Sequence, residues 1–327
     1  MNSDGFEKGR FIRKSMKTYM KKWIMIWLCI VLAGSVFSIP VNADMGPKPS
    51  VRITFENLGN ELCYGTLLSS RESTGPSSSW NGKEEDARHN ENPNGSYSYQ
   101  NFGYDVWKAF VDYAKNDDFY FLQEAWQINE TKEFAWTYYP PKEFKILLYF
   151  PETGEFSVSG VYERYAFDSY FAVNMEGVKL FAEGYGELSS EEQIHAIRSY
   201  NYTVEIVSLI IRVVITILIE MAVAMLFGFR RKKQLLLLVV VNIATQVILN
   251  VLLNRINYYS GEMAFVFYYI IFEIVVFVLE AILYCFVMKK VSEKEKSIWF
   301  YVLYALIANA SSFGAGFMVA KMLPGIF

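Results

Sequence analysis

The sequence contains few of the residues from which metal centres and nucleophilic active sites are usually built. Its 327 residues include three cysteines and two histidines. None of these stands at a metal-ligand spacing, and the chain has no G-x-S-x-G, H-E-x-x-H or P-loop motif. We therefore predict that the protein is not an enzyme, with no catalytic residue, metal ion or cofactor. Cys63 is the one cysteine between residues 44 and 202, which excludes an internal disulfide there.

Basic residues are scarce in the middle of the chain. Residues 44–202 hold 13 Lys/Arg against 25 Asp/Glu, a net charge of −12, whereas residues 1–43 hold seven Lys/Arg against two acids. Like charges repel over a Debye length of about 10 Å. The acidic middle therefore argues against nucleic acid and anionic wall polymers as partners.

The basic start of the chain has the pattern of an export signal. "RFIRKSMKTYMKK" precedes the apolar run "WIMIWLCIVLAGSVF", and "VNA" at residues 41–43 supplies small residues for a cut before Asp44. These are the three parts of a cleavable signal peptide. We predict a signal peptide over residues 1–43; the alternative is that it is retained as a fifth helix.

Four apolar segments follow, at about 204–228, 234–253, 263–288 and 298–321. Each is close to the roughly 20 residues that cross a bilayer. The Lys/Arg-rich loops at 229–233 and 289–297 belong in the cytoplasm by the positive-inside rule. Residues 44–202 and the C-terminus would then be extracytoplasmic, which agrees with a signal peptide. We predict a multi-pass protein of the cell membrane, with a four-helix transmembrane domain over residues 203–327.

Polar residues follow one face of each predicted helix. On the first helix Glu205, Ser208, Arg212, Thr216 and Glu220 recur at spacings of three and four. At a rise of roughly 1.5 Å per residue, the polar groups of all four helices fall at common depths. The predicted intramembrane polar site consists of Arg212, Glu220, Asn242, Gln246, Glu273, Glu280, Asn309 and Ser312.

Three carboxyl groups in this site accompany a single arginine. Because charge in the membrane centre costs about 2.5–3.5 kcal/mol per residue, a carboxyl must be protonated or a cation must lie between them. One hypothesis is a proton- or cation-linked site in which Glu220 and Glu280 exchange the ion and Arg212 holds Glu273. The alternatives are a structural polar network that fixes helix register, and an interface with a second copy or partner membrane subunit.

Residues 44–177 have the pattern of a β domain. Alternating segments such as "VRITFEN", "FKILLYF" and "RYAFDSYFAV" predict about seven strands, with a hairpin turn at "PETG". "YDVWKAFVDYAK" predicts one short amphipathic helix. We expect an immunoglobulin-like β-sandwich, in a mixed membrane protein. Residues 178–202 would connect it to the membrane, either as a helix or as a flexible linker.

Aromatic residues are frequent in the β domain. Most are expected in its core, but Trp80, Tyr97, Tyr99 and Tyr104 lie in or next to a long polar loop and are candidate ligand-binding residues.

Several stretches, among them "TYYPPKEFKILLYFPETGEF", "RYAFDSYF" and "EIVVFVLEAILY", resemble uncharacterised exported membrane proteins of Gram-positive bacteria. The resemblance implies an extracytoplasmic β domain followed by four membrane helices, and no catalytic residue. Two function hypotheses remain open. One is a proton- or cation-linked transport component, which with four helices needs a homodimer or a partner subunit. The other is a membrane-anchored sensor or envelope-assembly protein.

Overall fold

The computed structural model describes residues 46–88, 102–182, 193–292 and 296–322. The predicted signal peptide, Tyr97 and Tyr99 lie outside these residues. Within them, a β-rich part precedes four long helices. The strands are β1 (Ser50–Glu56), β2 (Tyr64–Ser69), β3 (Ser73–Thr74), β4 (Ser77–Ser78), β5 (Tyr120–Phe121), β6 (Trp126–Gln127), β7 (Glu133–Trp136), β8 (Glu143–Phe150), β9 (Glu155–Glu163), β10 (Asp168–Asn174), β11 (Phe181–Ala182) and β12 (Ala196–Arg198). The predicted short helix is confirmed as α1 (Tyr104–Ala114).

Two sheets make up most of the β-rich part. The first has the order β12-β10-β1-β7, with β1 parallel to β10 and the other pairs antiparallel. The second has the order β11-β9-β8-β2-β5, with β6 also paired to β2. The predicted hairpin at residues 151–154 joins β8 to β9, and Gly154 adopts the positive φ of 71° that glycine tolerates best.

The two sheets bury a common apolar core. Ile53 of β1, Phe171 of β10 and Ile146 of β8 all lie in it, each at most 2% exposed. Alternating side chains on β1 place every second residue there. A second cluster lies between the outer face of the second sheet and α1, centred on Trp107 and Phe110. The layers are thus sheet, sheet and helix; the immunoglobulin-like kind of sandwich is not confirmed.

The segment before the membrane helices differs from its prediction. The helical interpretation of this connection is wrong at Ala196–Arg198, which form β12 and pair with β10. Ser199 continues the pairing by donating its N–H to the Tyr170 carbonyl at 2.9 Å. Backbone hydrogen bonds therefore extend the first sheet as far as Ser199, a few residues before the first long helix begins.

Four long helices confirm the predicted apolar segments. They are α2 (Tyr202–Leu226), α3 (Lys232–Ser260), α4 (Glu262–Leu283) and α5 (Ile298–Met322). A π-helical turn (Tyr284–Met288) and a last turn (Lys289–Val291) continue α4. Each helix is long and apolar enough to span a membrane. The gap between the apolar segments 234–253 and 263–288 predicts a loop there, which is wrong, because α3 continues to Ser260 and a single residue, Gly261, separates it from α4.

The four helices form a bundle in which α2 contacts α3 and α5, and α4 contacts the same two helices. Large apolar side chains such as Leu218, Leu236 and Ile274 are exposed on its outside. Polar side chains such as Glu220 and Asn242 are buried inside it. A polar interior and an apolar exterior are what a bundle surrounded by lipid requires.

The β-rich part contacts the bundle at the turn between α3 and α4. Phe167 donates its N–H to the Tyr258 carbonyl at 2.8 Å, and its ring lies against Gly261. A Cβ at Gly261 would lie 2.6 Å from that ring, and the φ of Gly261 is +81°. The junction therefore needs glycine for both space and backbone conformation. Tyr165 and Tyr200 add ring contacts with Tyr258.

Candidate functional site

The interior of the bundle holds two neighbouring polar groups of residues. We call Glu220 and Glu280 the carboxyl pair; their side chains belong to residues 1% and 0% exposed. Beside them lies a small cavity lined by Arg212, Gln246 and Glu273, which we call the bundle cavity. Ser312 belongs to both, since it lines the cavity and contacts Glu220. The structure thus brings together all eight residues of the predicted intramembrane site.

Glu280 is held by donors from two neighbouring helices. The Thr245 hydroxyl of α3 donates to Oε1 at 2.8 Å, and Asn309 Nδ2 of α5 donates to Oε2 at 2.8 Å. Asn309 Nδ2 also donates to the Ala305 carbonyl at 3.0 Å, which fixes the orientation of its amide. Both Glu280 oxygens therefore have a partner, and the side chain joins α3, α4 and α5.

Glu220 is much less well supplied with donors. The Ser312 hydroxyl reaches Oε1 at 3.4 Å, and the same hydroxyl lies 3.1 Å from the Asn309 carbonyl, to which it can donate instead. Oε2 is buried and accepts no hydrogen bond. The Asn242 amide of α3 also faces this carboxyl as a donor, and Glu280 lies near it on α4. A wholly buried carboxyl thus has weak donors only, and its Oε2 accepts no hydrogen bond.

Further oxygen atoms around the carboxyl pair also lack donors. Within the described part of the chain, the buried atoms Asn242 Oδ1, Asn309 Oδ1 and Glu273 Oε2 accept no hydrogen bond. Asn242 Nδ2 donates to the Leu238 carbonyl at 3.0 Å, so its oxygen cannot be exchanged for the amide nitrogen without losing that bond. An unpartnered buried polar atom costs about 1–3 kcal/mol. The interior of the bundle therefore has an excess of acceptors.

The bundle cavity has a volume of about 20 Å³. A cavity of this size holds about one water molecule. Arg212 Nη1 donates to Asn250 Oδ1 at 3.2 Å, and its guanidinium lies 5.6 Å from the centre of the Phe265 ring. Glu273 faces the Tyr269 hydroxyl. Arg212 and Glu273, which the sequence predicted to pair, both line this cavity.

Sequence reasoning left several residues out of the site. Asn250 and Thr245 were visible as polar residues on the face of α3 that carries Gln246. Tyr269 and Tyr284 stand four residues before Glu273 and four after Glu280, on the same helix face. Aromatic residues are ordinary in membrane segments, so these two tyrosines did not by themselves indicate a site. Their spacing of four residues from a buried glutamate was the signal that could have found them.

Two of the four candidate ligand-binding aromatics, Trp80 and Tyr104, lie in the described residues, and both are next to Trp107 of α1. Trp80 and Tyr104 both contact the Trp107 ring, with ring centres 5.1 Å and 5.8 Å apart respectively. Trp80 Nε1 donates to the Lys83 carbonyl at 2.8 Å. Trp80 therefore packs against the cluster under α1, while Tyr104 is 37% exposed.

The arrangement defines a multi-pass membrane protein whose bundle encloses a polar interior and whose N-terminal part contains mixed sheets. No group of three or more His, Cys, Asp or Glu in the described residues could hold a metal ion through those side chains alone. Comparisons of the chain with protein-family models, with curated proteins and with solved structures give no match. The functional argument therefore depends on the residues themselves.

Proposed function

We propose that the protein is a proton- or cation-linked component of the cell membrane, in which Glu220 takes up and releases the ion. Its β-rich part, a β-sandwich outside the cytoplasm, would bind a ligand or a partner. Residues 1–43 would act as the export signal, and the loops at 229–233 and 289–297 would be cytoplasmic. Four helices are few for a transporter, so the proposal includes a homodimer or a partner membrane subunit.

The observation that carries this proposal is the excess of acceptors around Glu220. Glu220 Oε2, Asn242 Oδ1 and Asn309 Oδ1 are buried oxygens without donors. A proton on Glu220 would convert one acceptor into a donor, and a small cation would be coordinated by several of these oxygens. Hard monovalent and divalent cations prefer carboxylate and amide oxygens. A proton would satisfy one of the unpartnered acceptors, and a cation would satisfy several of them.

The contrast within the carboxyl pair supports a difference in role. Glu280 already has two good partners at 2.8 Å, so an ion would displace existing bonds there. The Ser312 hydroxyl lies 3.4 Å from Glu220 and Oε2 accepts no hydrogen bond, so an ion would add bonds there. We therefore assign exchange to Glu220 and a positioning role to Glu280.

The size of the bundle cavity fits a water molecule or an ion and excludes an organic ligand. About 20 Å³ accommodates one water molecule or a bare ion, whereas pockets for organic ligands measure about 300–1,000 Å³. Ser312 lines this cavity and contacts Glu220, so it gives a continuous polar route between them.

The alternative function is a membrane-anchored sensor or envelope-assembly protein. The contact of Phe167 with Gly261 and Tyr258 favours it, because this junction links the β-rich part directly to the bundle. The polar interior would then fix helix register. The two functions differ in whether Glu220 exchanges an ion.

Infrared spectroscopy of the purified full chain in lipid tests this difference. The carboxyl signal would be titrated over pH, with and without Na⁺ or K⁺, for the wild type, Glu220→Gln and a control, Glu262→Gln, whose side chain is exposed at the start of α4. We expect a protonation step that either cation shifts, that Glu220→Gln removes and that the control retains. A carboxyl signal that stays constant across the range, with intact helices, would contradict the proposal and make the network structural.

A further inference from the structure

A second cavity lies in the β-rich part, away from the bundle interior. Its volume is about 530 Å³, within the range of small-molecule sites. Arg71, Lys142 and Arg164 line it, together with one acid, Glu143. We call it the basic cavity. Its lining has a formal charge of +2, although residues 44–202 together carry −12.

The three cations of the basic cavity are not committed to partners. Among the described residues, neither Arg71 nor Lys142 makes a side-chain ion pair or hydrogen bond. Asp168 is the opposite charge near Arg164, but among the described residues the Arg164 guanidinium makes no ion pair or hydrogen bond. Burial lowers the pKa of Arg164, which means that its charge is incompletely solvated. An anion would relieve that cost.

Two constrained turns, at Gly75 and at Tyr139, also line the basic cavity. Gly75 and Tyr139 both have positive φ, of 54° and 51°, and a Cβ on Gly75 would lie 2.6 Å from the Tyr139 ring. Lys48 Nζ lies 5.3 Å from the centre of that ring. Non-glycine residues with positive φ cost free energy and cluster at binding sites. The neighbouring Thr74 Oγ1 is buried without a hydrogen-bond partner, so the cavity also offers an unused hydroxyl.

The basic cavity is close to the junction with the bundle. Arg164 donates its N–H to the Lys142 carbonyl at 2.8 Å, and three residues later Phe167 donates to Tyr258 at the end of α3. A ligand could therefore arrive from water or from the headgroup layer of the membrane.

We propose that the basic cavity binds a phosphate or phosphodiester group. Three separated cations and a hydroxyl match the several acceptor oxygens of phosphate, and guanidinium groups bind such oxygens in pairs. A carboxylate would leave part of this donor set unused. The site does not depend on the ion-linked function of the bundle, and either proposal can fail without the other.

The test uses the full chain in maltoside micelles, which contain no phosphate. One arm titrates inorganic pyrophosphate by calorimetry; the other adds phosphatidylglycerol and counts bound lipid by native mass spectrometry. The variants are Arg71→Gln with Arg164→Gln, and separately the exposed Lys142→Gln. Arg52→Gln is the control. Arg52 lies on β1, outside the cavity, and its side chain forms an exposed ion pair with Glu133 of β7, so this variant removes one positive charge away from the site.

We expect the cavity variants to weaken binding in at least one arm by about tenfold or more, and the control to bind as the wild type does. Pyrophosphate binding would identify a soluble ligand, and phosphatidylglycerol binding alone would identify a lipid headgroup. Near-ultraviolet circular dichroism checks that each variant is folded. If the double variant is misfolded, the binding measured for Lys142→Gln tests the proposal. Absence of binding in both arms, or equal binding by variants and control, would overturn the proposal.

Discussion

The hydrogen bonds of Glu280 predict that its carboxyl can carry a proton without rearrangement. Thr245 Oγ1 lies 3.0 Å from the Val241 carbonyl as well as 2.8 Å from Glu280 Oε1. Its single proton can go to Val241, and the hydroxyl oxygen can then accept a proton from Glu280. Asn309 Nδ2 still donates to Oε2. A glutamine at position 280 can reproduce both bonds, with its amide nitrogen towards Thr245 and its oxygen towards Asn309.

The expected magnitudes follow from this geometry. Glu280→Gln keeps the side-chain volume and both bonds, so its free energy of unfolding should stay within about 1 kcal/mol of the wild type. Glu280→Ala leaves an Asn309 N–H without its acceptor and opens a cavity. Those losses amount to about 3 kcal/mol or more.

The measurement is unfolding of the full chain in bicelles with increasing dodecyl sulfate, followed by helical circular dichroism. Glu262→Gln and Glu262→Ala form the matched control pair, since this glutamate begins α4 with an exposed side chain. We expect both controls to resemble the wild type. If Glu280→Gln destabilises the bundle as much as Glu280→Ala does, Glu280 is held as a carboxylate and the reasoning is refuted.

Three further predictions concern the β-rich part and its junction. Burial raises the pKa of the Glu124 carboxyl from 4.5 to about 7. As pH rises, this carboxyl therefore ionises in the unfolded chain before it does so in the folded one. The free energy of unfolding should fall by about 3 kcal/mol as pH rises from 4.5 to above 7. Thermal unfolding of Glu124→Gln should lack most of this dependence, and an unchanged slope would contradict the assignment. Gly261→Ala should lower the unfolding temperature and expose Phe167, because a Cβ at residue 261 would lie 2.6 Å from the Phe167 ring. Limited proteolysis measures this exposure, with Ser260→Ala as the control. Equal proteolysis of the two variants would contradict the role of the junction. Burial raises the pKa of Cys63 to about 12, so a chain retaining only this cysteine should react with maleimide after unfolding and not before.

The membrane helices were predictable because their signal is strong. Each extends over about 20 or more apolar residues, and the polar residues inside them recur at helical spacing. Depth along the helix axis follows from the rise per residue, which is why Glu220 and Glu280 were expected at matching depth. The rotation of each helix and the direction of its side chains do not follow from depth. Asn250, which accepts a hydrogen bond from the Arg212 guanidinium, was therefore left out of the predicted site.

The two errors in secondary structure have different causes. Residues 254–263 are rich in Asn, Tyr, Ser and Gly, which indicates a loop, but the chain reverses with Gly261 alone. "EEQIHAIR" has a helix-like pattern, yet Ala196–Arg198 pair with β10. An available sheet edge outweighs a local preference of this size. The parallel pairing of β1 with β10 was also outside what alternation can predict, because alternation does not specify partners.

The helix α3 is longer than a bilayer's hydrocarbon core requires. Its 29 residues measure about 43 Å, whereas the hydrocarbon core is roughly 30 Å thick. If Lys232 and Lys233, which begin the helix, lie at one interface, the excess emerges at the other end, where Phe167 contacts Tyr258. The length of α3 would then determine the height of the β-rich part above the bilayer. Inserting one residue would rotate the contact by about 100°, so a change of height that keeps the contact needs whole turns.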